Sequence, residues 1–327
     1  MPTFNDICDA HTRISPLIHN TPIVESSLLN TWLGSRILFK AECLQKIGAF
    51  KARGALNMLG KMSEEGTLPN NIIANSSGNH AQAVAYAAAK LGKKATIYST
   101  ESISAVKAAA SRFYGAELKL YPLRTQADAA VAEAAEHPDT IWIPPFNHPD
   151  IIAGQGTLAK EVFEEVDNVS ALFAPCGGGG LLAGSKIAAL AMSPDTKVIG
   201  AEPLNANDAA RSLRVGKIVP LDGPVQTHAD GAATPQVGDK TFPHLQHLDG
   251  FVEVEERAIA YWTQWLQHLL KLHIEPTSAM SMQAVVEYLR NTPKNQTVVV
   301  LLSGGNIDNQ KMLNIWQEDH LSILPSL

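Results

Sequence analysis

From about residue 72 the chain alternates short apolar runs with stretches of helical spacing, and this alternation restricts the fold more than any other feature of the sequence. Ile72-Ile73-Ala74-Asn75, Ala95-Thr96-Ile97-Tyr98, Leu118-Lys119-Leu120-Tyr121 and Ile141-Trp142-Ile143 read as strands, with helices over 80–91, 104–113 and 126–136 between them. Strands joined through helices run parallel, and the helices cover both faces of the sheet. The second half repeats the style, with strands near 170–174, 197–202 and 297–302 and helices at 155–166, 180–191 and 277–290. Ahead of these, residues 4–14 have the spacing of an amphipathic helix, Thr21-Pro22 opens an extended segment, and 36–41 reads as a strand. Two α/β lobes follow, with Pro144-Pro145 and His148-Pro149 marking the crossover. Ligands in such sheets bind outside the carboxyl ends of the strands, so chemistry is sought in the loops that follow strands.

Composition narrows the partners. The 327 residues are 45% hydrophobic, enough for a sizeable core, and the net charge of −6 comes with lysines and arginines scattered singly. No basic field is offered to nucleic acid or to a membrane surface, which leaves a small-molecule substrate. Cys8, Cys43 and Cys176 have no CxxC spacing, against a disulfide framework or a thiolate zinc site and in favour of a reducing compartment. Residues 1–20 lack a signal-peptide core, and no run reaches the ~18 apolar residues of a membrane span, so a cytoplasmic protein is expected.

One lysine stands out. Lys51 lies in Gln45-Lys46-Ile47-Gly48-Ala49-Phe50-Lys51-Ala52-Arg53-Gly54-Ala55, between an aromatic ring and small residues, just after the strand-like Ile37-Leu38-Phe39-Lys40-Ala41. Desolvation there lowers an amine's pKa and frees it to condense with a carbonyl; otherwise the residue is a surface lysine opening a helix.

Three post-strand loops accompany it. Ser76-Ser77-Gly78-Asn79-His80 precedes a helix and suits a carboxylate, although one of its residues would also serve as a plain N-cap. Gly177-Gly178-Gly179-Gly180 follows Ala171-Leu172-Phe173-Ala174, and a glycine run at a strand-to-helix turn signals close approach of a ligand, usually a phosphate. The order Gly184-Ser185-Lys186 inverts a P-loop and excludes that reading, and a dinucleotide fingerprint is met only formally, with Glu202 as its candidate ribose partner. Ser303, in Ser303-Gly304-Gly305-Asn306 after Val298-Val299-Val300-Leu301-Leu302, either meets a heterocyclic nitrogen or forms a turn. Glu202 and Asp208 flank one loop and could share a hard cation. His244, His247, His268 and His273 lack metal-site spacing, and Ile259, Trp262, Leu266, Leu269 and Leu270 form a core stripe.

In this order the motifs resemble the fold-type II pyridoxal-phosphate enzymes, most closely the serine/threonine dehydratase and serine racemase branch, over nearly the whole chain. Ile18-His19-Asn20-Thr21-Pro22, Ile152-Ala153-Gly154-Gln155-Gly156-Thr157, Glu202-Pro203 and Glu275-Pro276-Thr277 are further landmarks. The resemblance implies a two-lobed, open parallel-sheet α/β fold of the tryptophan synthase β type with the cofactor between the lobes. It implies a large domain of residues 1–61 and 149–327, a small domain of 62–148, and a homodimer. Lys51 would hold pyridoxal 5'-phosphate as a Schiff base, Phe50 would pack on its ring, and Asn79 would bond its 3′ oxygen. Gly177, Gly178, Gly179 and Gly180 would cradle the phosphate, and Ser303 would face the pyridine nitrogen. Ser76, Ser77, Gly78, Asn79 and His80 would bind the substrate, with Ser77 a second catalytic acid. Glu202, the carbonyl of Ala206 and Asp208 would hold Mg²⁺ or a similar divalent cation.

The departures are specific. Ala49 replaces the family's usual serine, Ser77 is similar to the racemase branch, and Asp128 stands where racemases and hydroxyaspartate enzymes carry an arginine, with Arg124 one turn away. The regulatory domain of biosynthetic threonine dehydratases, and with it feedback by isoleucine, is not expected. The resemblance implies β-elimination of a β-hydroxy amino acid such as L-serine or L-threonine to the 2-oxo acid and ammonia. The rivals are an amino-acid racemase or 3-hydroxyaspartate ammonia-lyase on the same scaffold, a nicotinamide-dependent oxidoreductase, and a binding protein without catalysis.

Overall fold

The computed structural model describes residues 1–76 and 78–327. In chain order its strands are β1 (Ile23–Glu25), β2 (Arg36–Ala41), β3 (Asn71–Asn75), β4 (Lys94–Thr100), β5 (Glu117–Tyr121), β6 (Thr140–Trp142), β7 (Ala171–Pro175), β8 (Lys197–Pro203), β9 (Gly250–Val254) and β10 (Thr297–Leu302). They form a six-stranded sheet, β1-β2-β10-β7-β8-β9, and a four-stranded sheet, β5-β4-β3-β6. Among the described residues all pairings between these strands are parallel except the one between β1 and β2. The α/β architecture with parallel sheets is therefore the expected one.

Burial explains the strand order. Val298 to Leu302 of β10 are apolar on both faces and fully enclosed, which a central parallel strand requires. Val300 pairs with Phe39 on one side and with Phe173 on the other. β9 escapes the sequence pattern because it lies on the sheet edge and its residues from Gly250 to Glu253 are only half buried. The expected helix at 155–166 begins earlier, at Pro149, where the ring suits the first helical position and the His148 side chain caps the first turn by accepting the amide of Asp150. The expected helix at 277–290 is divided at Met280 into Pro276–Ala279 and Ser281–Arg290. A helix over Ser27–Leu33, capped by Ser26 and ended by left-handed Gly34, was not anticipated.

The helix Lys51–Glu64 is buried from Ala52 to Leu59 and packs against Pro149–Glu165. The two backbones meet at glycines, since a Cβ on Gly154 would lie 2.7 Å from the carbonyl oxygen of Arg53 and from Cα of Gly54. Between these helices and β2 lies a buried ion network. Arg53 donates through Nε and Nη2 to Glu42 at 2.8 and 2.9 Å and through Nη1 and Nη2 to Glu161 at 2.6 and 2.9 Å. Its fifth N–H goes to Thr157 Oγ1 at 3.1 Å, so every donor of the guanidinium is used. Lys40, from β2, reaches Glu161 at 3.0 Å and the carbonyl of Thr21 at 2.8 Å. Among the described residues no helix is long and apolar enough to cross a membrane.

Removing one partner of such a network leaves a buried charge uncompensated. Arg53→Met is expected to lower unfolding free energy by about 3–5 kcal/mol, measured as a shifted urea midpoint. A loss below about 1 kcal/mol would show that Glu42 and Glu161 find other partners.

Candidate active site

The strands β2, β10, β7 and β8 are neighbours, so the loops leaving their carboxyl ends emerge side by side. Those loops lead to Lys51, Ser303 and the glycine run, and Glu202 lies near the carboxyl end of β8 itself. The first two are joined by backbone. Ala49 and Gly304 form an antiparallel bridge, Phe50 N–H donates to Ser303 O at 2.9 Å, and Gly305 N–H donates to Gly48 O at 2.9 Å. Gly48 sits at φ +69°, and a Cβ there would meet Asn306 Oδ1 at 2.8 Å.

Lys51 is the first residue of its helix, and its Nζ donates to the carbonyl of Pro145 at 2.6 Å, beyond the end of β6 in the other sheet. Burial brings its pKa down to about 8, with the charge of Glu275 acting in the opposite sense. The Phe50 ring centroid is 5.3 Å from the amine.

The glycine run links the end of β7 to the helix Gly180–Met192. Side chains are excluded there, because a Cβ on Gly178 would fall 2.2 Å from the Phe146 ring. Gly179 has φ +87°, and its Cβ would lie 2.9 Å from Leu245 Cδ1 and Thr241 Oγ1. Bare amides opening a helix favour an anion. Thr234 contributes a buried hydroxyl without a partner among the described residues, and its methyl is 3.4 Å from where a Gly177 Cβ would stand. Thr234 carried no motif by which the sequence could reveal it.

On the opposite side β3 leads into the helix Asn79–Lys90. Ser76 Oγ accepts the amide of Gly78 at 3.2 Å, and Ser77 lies outside the described residues. Asn79 donates to both oxygens of Glu275 at 3.1 Å and accepts from Asn306 Nδ2 at 2.8 Å. The sequence singled out Asn79 but not this clamp, whose members are distant in the chain. Burial, then the nearby charge of Asp230, raise Glu275 to about 7. Asp230 itself accepts from Lys107 at 3.0 Å and Lys311 at 2.8 Å. His80 contacts the carbonyl of Ile143 through Nε2 at 2.8 Å, so that nitrogen carries the proton. Burial and Lys51 hold its pKa near 3, and the ring is neutral.

Near the carboxyl end of β8, Glu202 accepts the amides of Ala210 and Ala209 at 2.6 and 3.2 Å. Both carboxylate oxygens of Asp208 are buried without a hydrogen-bond partner among the described residues. Burial lifts Glu202 to about 8 and Asp208 to about 7. Ala206 is buried in the turn between them. Among the described residues no three His, Cys, Asp or Glu side chains gather as a metal-binding group. At the rim of the smaller sheet Asp128 accepts from Arg124 at 2.8 Å and from Asn75 at 2.7 Å, and Trp142 Nε1 donates to Asn75 at 2.9 Å.

Comparison with known proteins places this geometry. Residues 14–304 match the family described as pyridoxal-phosphate dependent enzyme. The chain is 41% identical to L-threo-3-hydroxyaspartate ammonia-lyase of Saccharomyces cerevisiae, over 95% of each chain. It is 37% identical to serine racemase of Schizosaccharomyces pombe, over 95% of this chain and 96% of the other. Among solved structures, a threonine deaminase from T.th. superposes with a TM-score of 0.87 at 43% identity, covering 94% of this chain and 99% of its own. The match spans both sheets and the loops that carry Lys51, Asn79, the glycine run and Ser303, and the chain belongs to the pyridoxal-phosphate dependent enzyme family.

Proposed function

We propose that this protein is an ammonia-lyase that converts a β-hydroxy amino acid, L-serine or L-threonine, to the 2-oxo acid and ammonia. The observation that carries the reading is the Lys51 amine, depressed to about 8 and joined through its loop to Ser303. The residues present fit the family's cofactor in kind. A reactive amine suits its aldehyde, a turn that admits no Cβ suits its phosphate, and a buried hydroxyl suits its ring nitrogen. In this reading Lys51 and Phe50 hold the aldehyde end and the ring, Gly177 to Gly180 the phosphate, Asn79 the ring hydroxyl, and Ser303 the nitrogen. When bound, the cofactor supplies an electron sink for the substrate Cα.

The protein's own part is to bind, orient and move protons. The amides opening the helix Asn79–Lys90, with Ser76, Gly78 and His80 beside them, receive the substrate carboxylate. Lys51 takes the Cα proton as general base, and its low pKa leaves it a sizeable neutral fraction at physiological pH. The neutral His80 ring fixes the loop against Ile143 and adds no charge. Arg124 is engaged by Asp128, which leaves the pair neutral towards a second substrate carboxylate and favours serine or threonine over a hydroxy dicarboxylate.

The same reading includes Mg²⁺ or a similar cation at Glu202, the Ala206 carbonyl and Asp208, supported by the unpartnered Asp208 oxygens. It also includes a small domain over 62–148 and a large one over 1–61 and 149–327. The four strands of the smaller sheet fall between Asn71 and Trp142, and the other six lie outside that span. A cytoplasmic homodimer completes it, in keeping with three free cysteines.

A serine racemase is the second reading, supported by the pair Ser76-Ser77. Lys51 works from one face, so inversion at Cα requires an acid on the other, a role proposed for Ser77. Ser77→Ala is expected to lose racemisation of serine and to keep much of its keto-acid release, the two measured by chiral chromatography and a coupled dehydrogenase assay. Equal loss of both would make Ser77 a binding residue.

Lys51→Ala is expected to cut keto-acid release ~10⁴-fold or more, since nucleophile and base vanish together. In the cofactor-free protein, trapping of pyridoxal phosphate by borohydride should rise with pH through about 8, where half the Lys51 amine is neutral. A rise centred above pH 10 would contradict the desolvated amine.

The carboxylates predict how the metal-free protein responds to pH. Their folded pKa values, about 8 and 7, lie above unfolded ones near ~4. The stability they contribute is present in full below pH ~4 and is lost as pH rises through 7 to 8. Chelated protein should therefore melt progressively lower from pH 5 to 8, and Mg²⁺ should restore the melting temperature. Asp208→Asn should flatten the pH slope and remove the Mg²⁺ response, and a response that survived would place the cation elsewhere.

A further inference from the structure

Asn79 opens the helix that follows β3, and the buried Glu275 precedes the short helix Pro276–Ala279. They meet at one end of a chain of side-chain amides whose direction is set by its partners. Asn306 Nδ2 donates to the carbonyl of Ile47 at 2.8 Å and to Asn79 Oδ1 at 2.8 Å. A backbone carbonyl only accepts, so the nitrogen of Asn306 is the atom turned to Ile47, and its second N–H goes on to Asn79. Asn79 therefore turns its oxygen to Asn306 and its nitrogen to Glu275. Burial raises Glu275 to about 7, yet it accepts from Asn79 in either state, since a protonated carboxyl group keeps its carbonyl oxygen.

Asn79 Nδ2 lies 3.1 Å from each oxygen of Glu275. Seen from equal distances, the two oxygens of one carboxyl group span a much narrower angle than the two N–H bonds of an amide. A single N–H thus serves both oxygens, and the other has no acceptor among the described residues. The chain lies against the loop that leads to Lys51, through Ile47 and through Gly48, whose carbonyl accepts the amide of Gly305 at 2.9 Å. Glu275 is also near enough for its charge to act on the Lys51 amine.

We propose that Glu275 is a positioning residue for the cofactor: with Asn306 at the other end, it holds the Asn79 amide the one way round that offers a spare N–H, not a lone pair, to the 3′ oxygen of the ring. The two orientations of an amide differ in sign towards such an oxygen. The one observed presents a donor, and the reverse would set a carbonyl against a ring oxygen that carries negative charge. Glu275 also takes one of the two protons of Asn79 Nδ2, so the side chain cannot swing away without leaving a buried acceptor and a buried donor unpaired. Glu275 itself need not touch the cofactor. The proposal rests on the reading that Asn79 meets the 3′ oxygen.

The test compares pyridoxal phosphate with its 3-deoxy analogue, in which the ring hydroxyl is replaced by hydrogen. Affinities are measured on the cofactor-stripped full-length protein by fluorescence titration. The ring hydroxyl also affects how the aldehyde joins Lys51, so the quantity read is the change between variants in the ratio of the two affinities. Asn79→Ala should lower the wild-type ratio about tenfold, the scale of one buried hydrogen bond, and Glu275→Met about threefold. Glu275→Gln, which keeps an acceptor without the charge, should retain the ratio. Adding Glu275→Met to Asn79→Ala should change it no further, because Glu275 acts through Asn79. Equal weakening of both ligands by Glu275→Met, with the ratio intact, would make Glu275 a merely structural residue and overturn the proposal. So would a Glu275→Gln variant as poor as Glu275→Met, or a further fall in the double variant. A ratio unchanged in Asn79→Ala would overturn the ring-hydroxyl reading itself, and the proposal with it. Should the Glu275 variants fail to fold, the wild type with a ¹⁵N-labelled Asn79 side chain decides. One amide proton should be shifted downfield by Glu275 before any cofactor is added, and the second should follow with pyridoxal phosphate but not with the deoxy analogue. Loss of the first shift on binding would show that Asn79 leaves Glu275 and would refute the clamp.

Discussion

The guanidinium of Arg53 is enclosed between two carboxylates, two residues along the helix from Lys51, and the rest of the site takes its position from that arrangement. Glu42 belongs to the turn after β2, Glu161 to the helix Pro149–Glu165, and Arg53 to the helix between them. A buried ion pair adds little net stability over apolar residues of the same volume, because desolvation offsets most of its attraction. What it does is specify. Five directed N–H bonds cannot all be kept if the helix slides or turns by one residue, so Lys51 has a single register relative to the sheet.

Around this fixed point the site uses burial to adjust charge. Lys51 becomes more readily neutral, His80 stays uncharged, and Glu275 sits close to neutrality, where a small change in surroundings alters its proton. Glu202 and Asp208 are also raised by burial and form no salt bridge among the described residues, which sets them apart from Glu42 and Glu161 with their fork of donors. Two buried acidic groups in one protein are thus distinguished by what faces them, not by their depth.

Much of this was legible in the sequence because the loops that matter are local. Each is a short polar or glycine-rich segment directly after an apolar run, so Lys51, Gly177 to Gly180 and Ser303 could be named from neighbours in the chain. Periodicity also located β2, β3, β7 and β10, whose residues are enclosed by the sheet. It failed at β9, a half-buried edge, and over 277–290, where continuous helical spacing conceals a division at Met280. Pairings across the fold left no local trace. Glu275 meets Asn79, and Ser278 meets Ser303, only because β10 brings its loop next to both partners. Thr234 was hidden for the same reason, since its lone hydroxyl is unusual only once burial is known.

The position of β10 also governs how the molecule can be assembled. It is the last strand along the chain, yet it lies between β2 and β7. The smaller sheet is contiguous in sequence and can close while the chain is still emerging from the ribosome. The larger one cannot, because β2 and β7 each keep an unpaired apolar flank until residues 297–302 arrive. Pairing of such sequence separation is slow, and the two waiting edges are open to other chains meanwhile. The strand that delivers Ser303 is thus also the one that seals the sheet, and a nascent chain acquires its chemistry and its protection from aggregation in the same step.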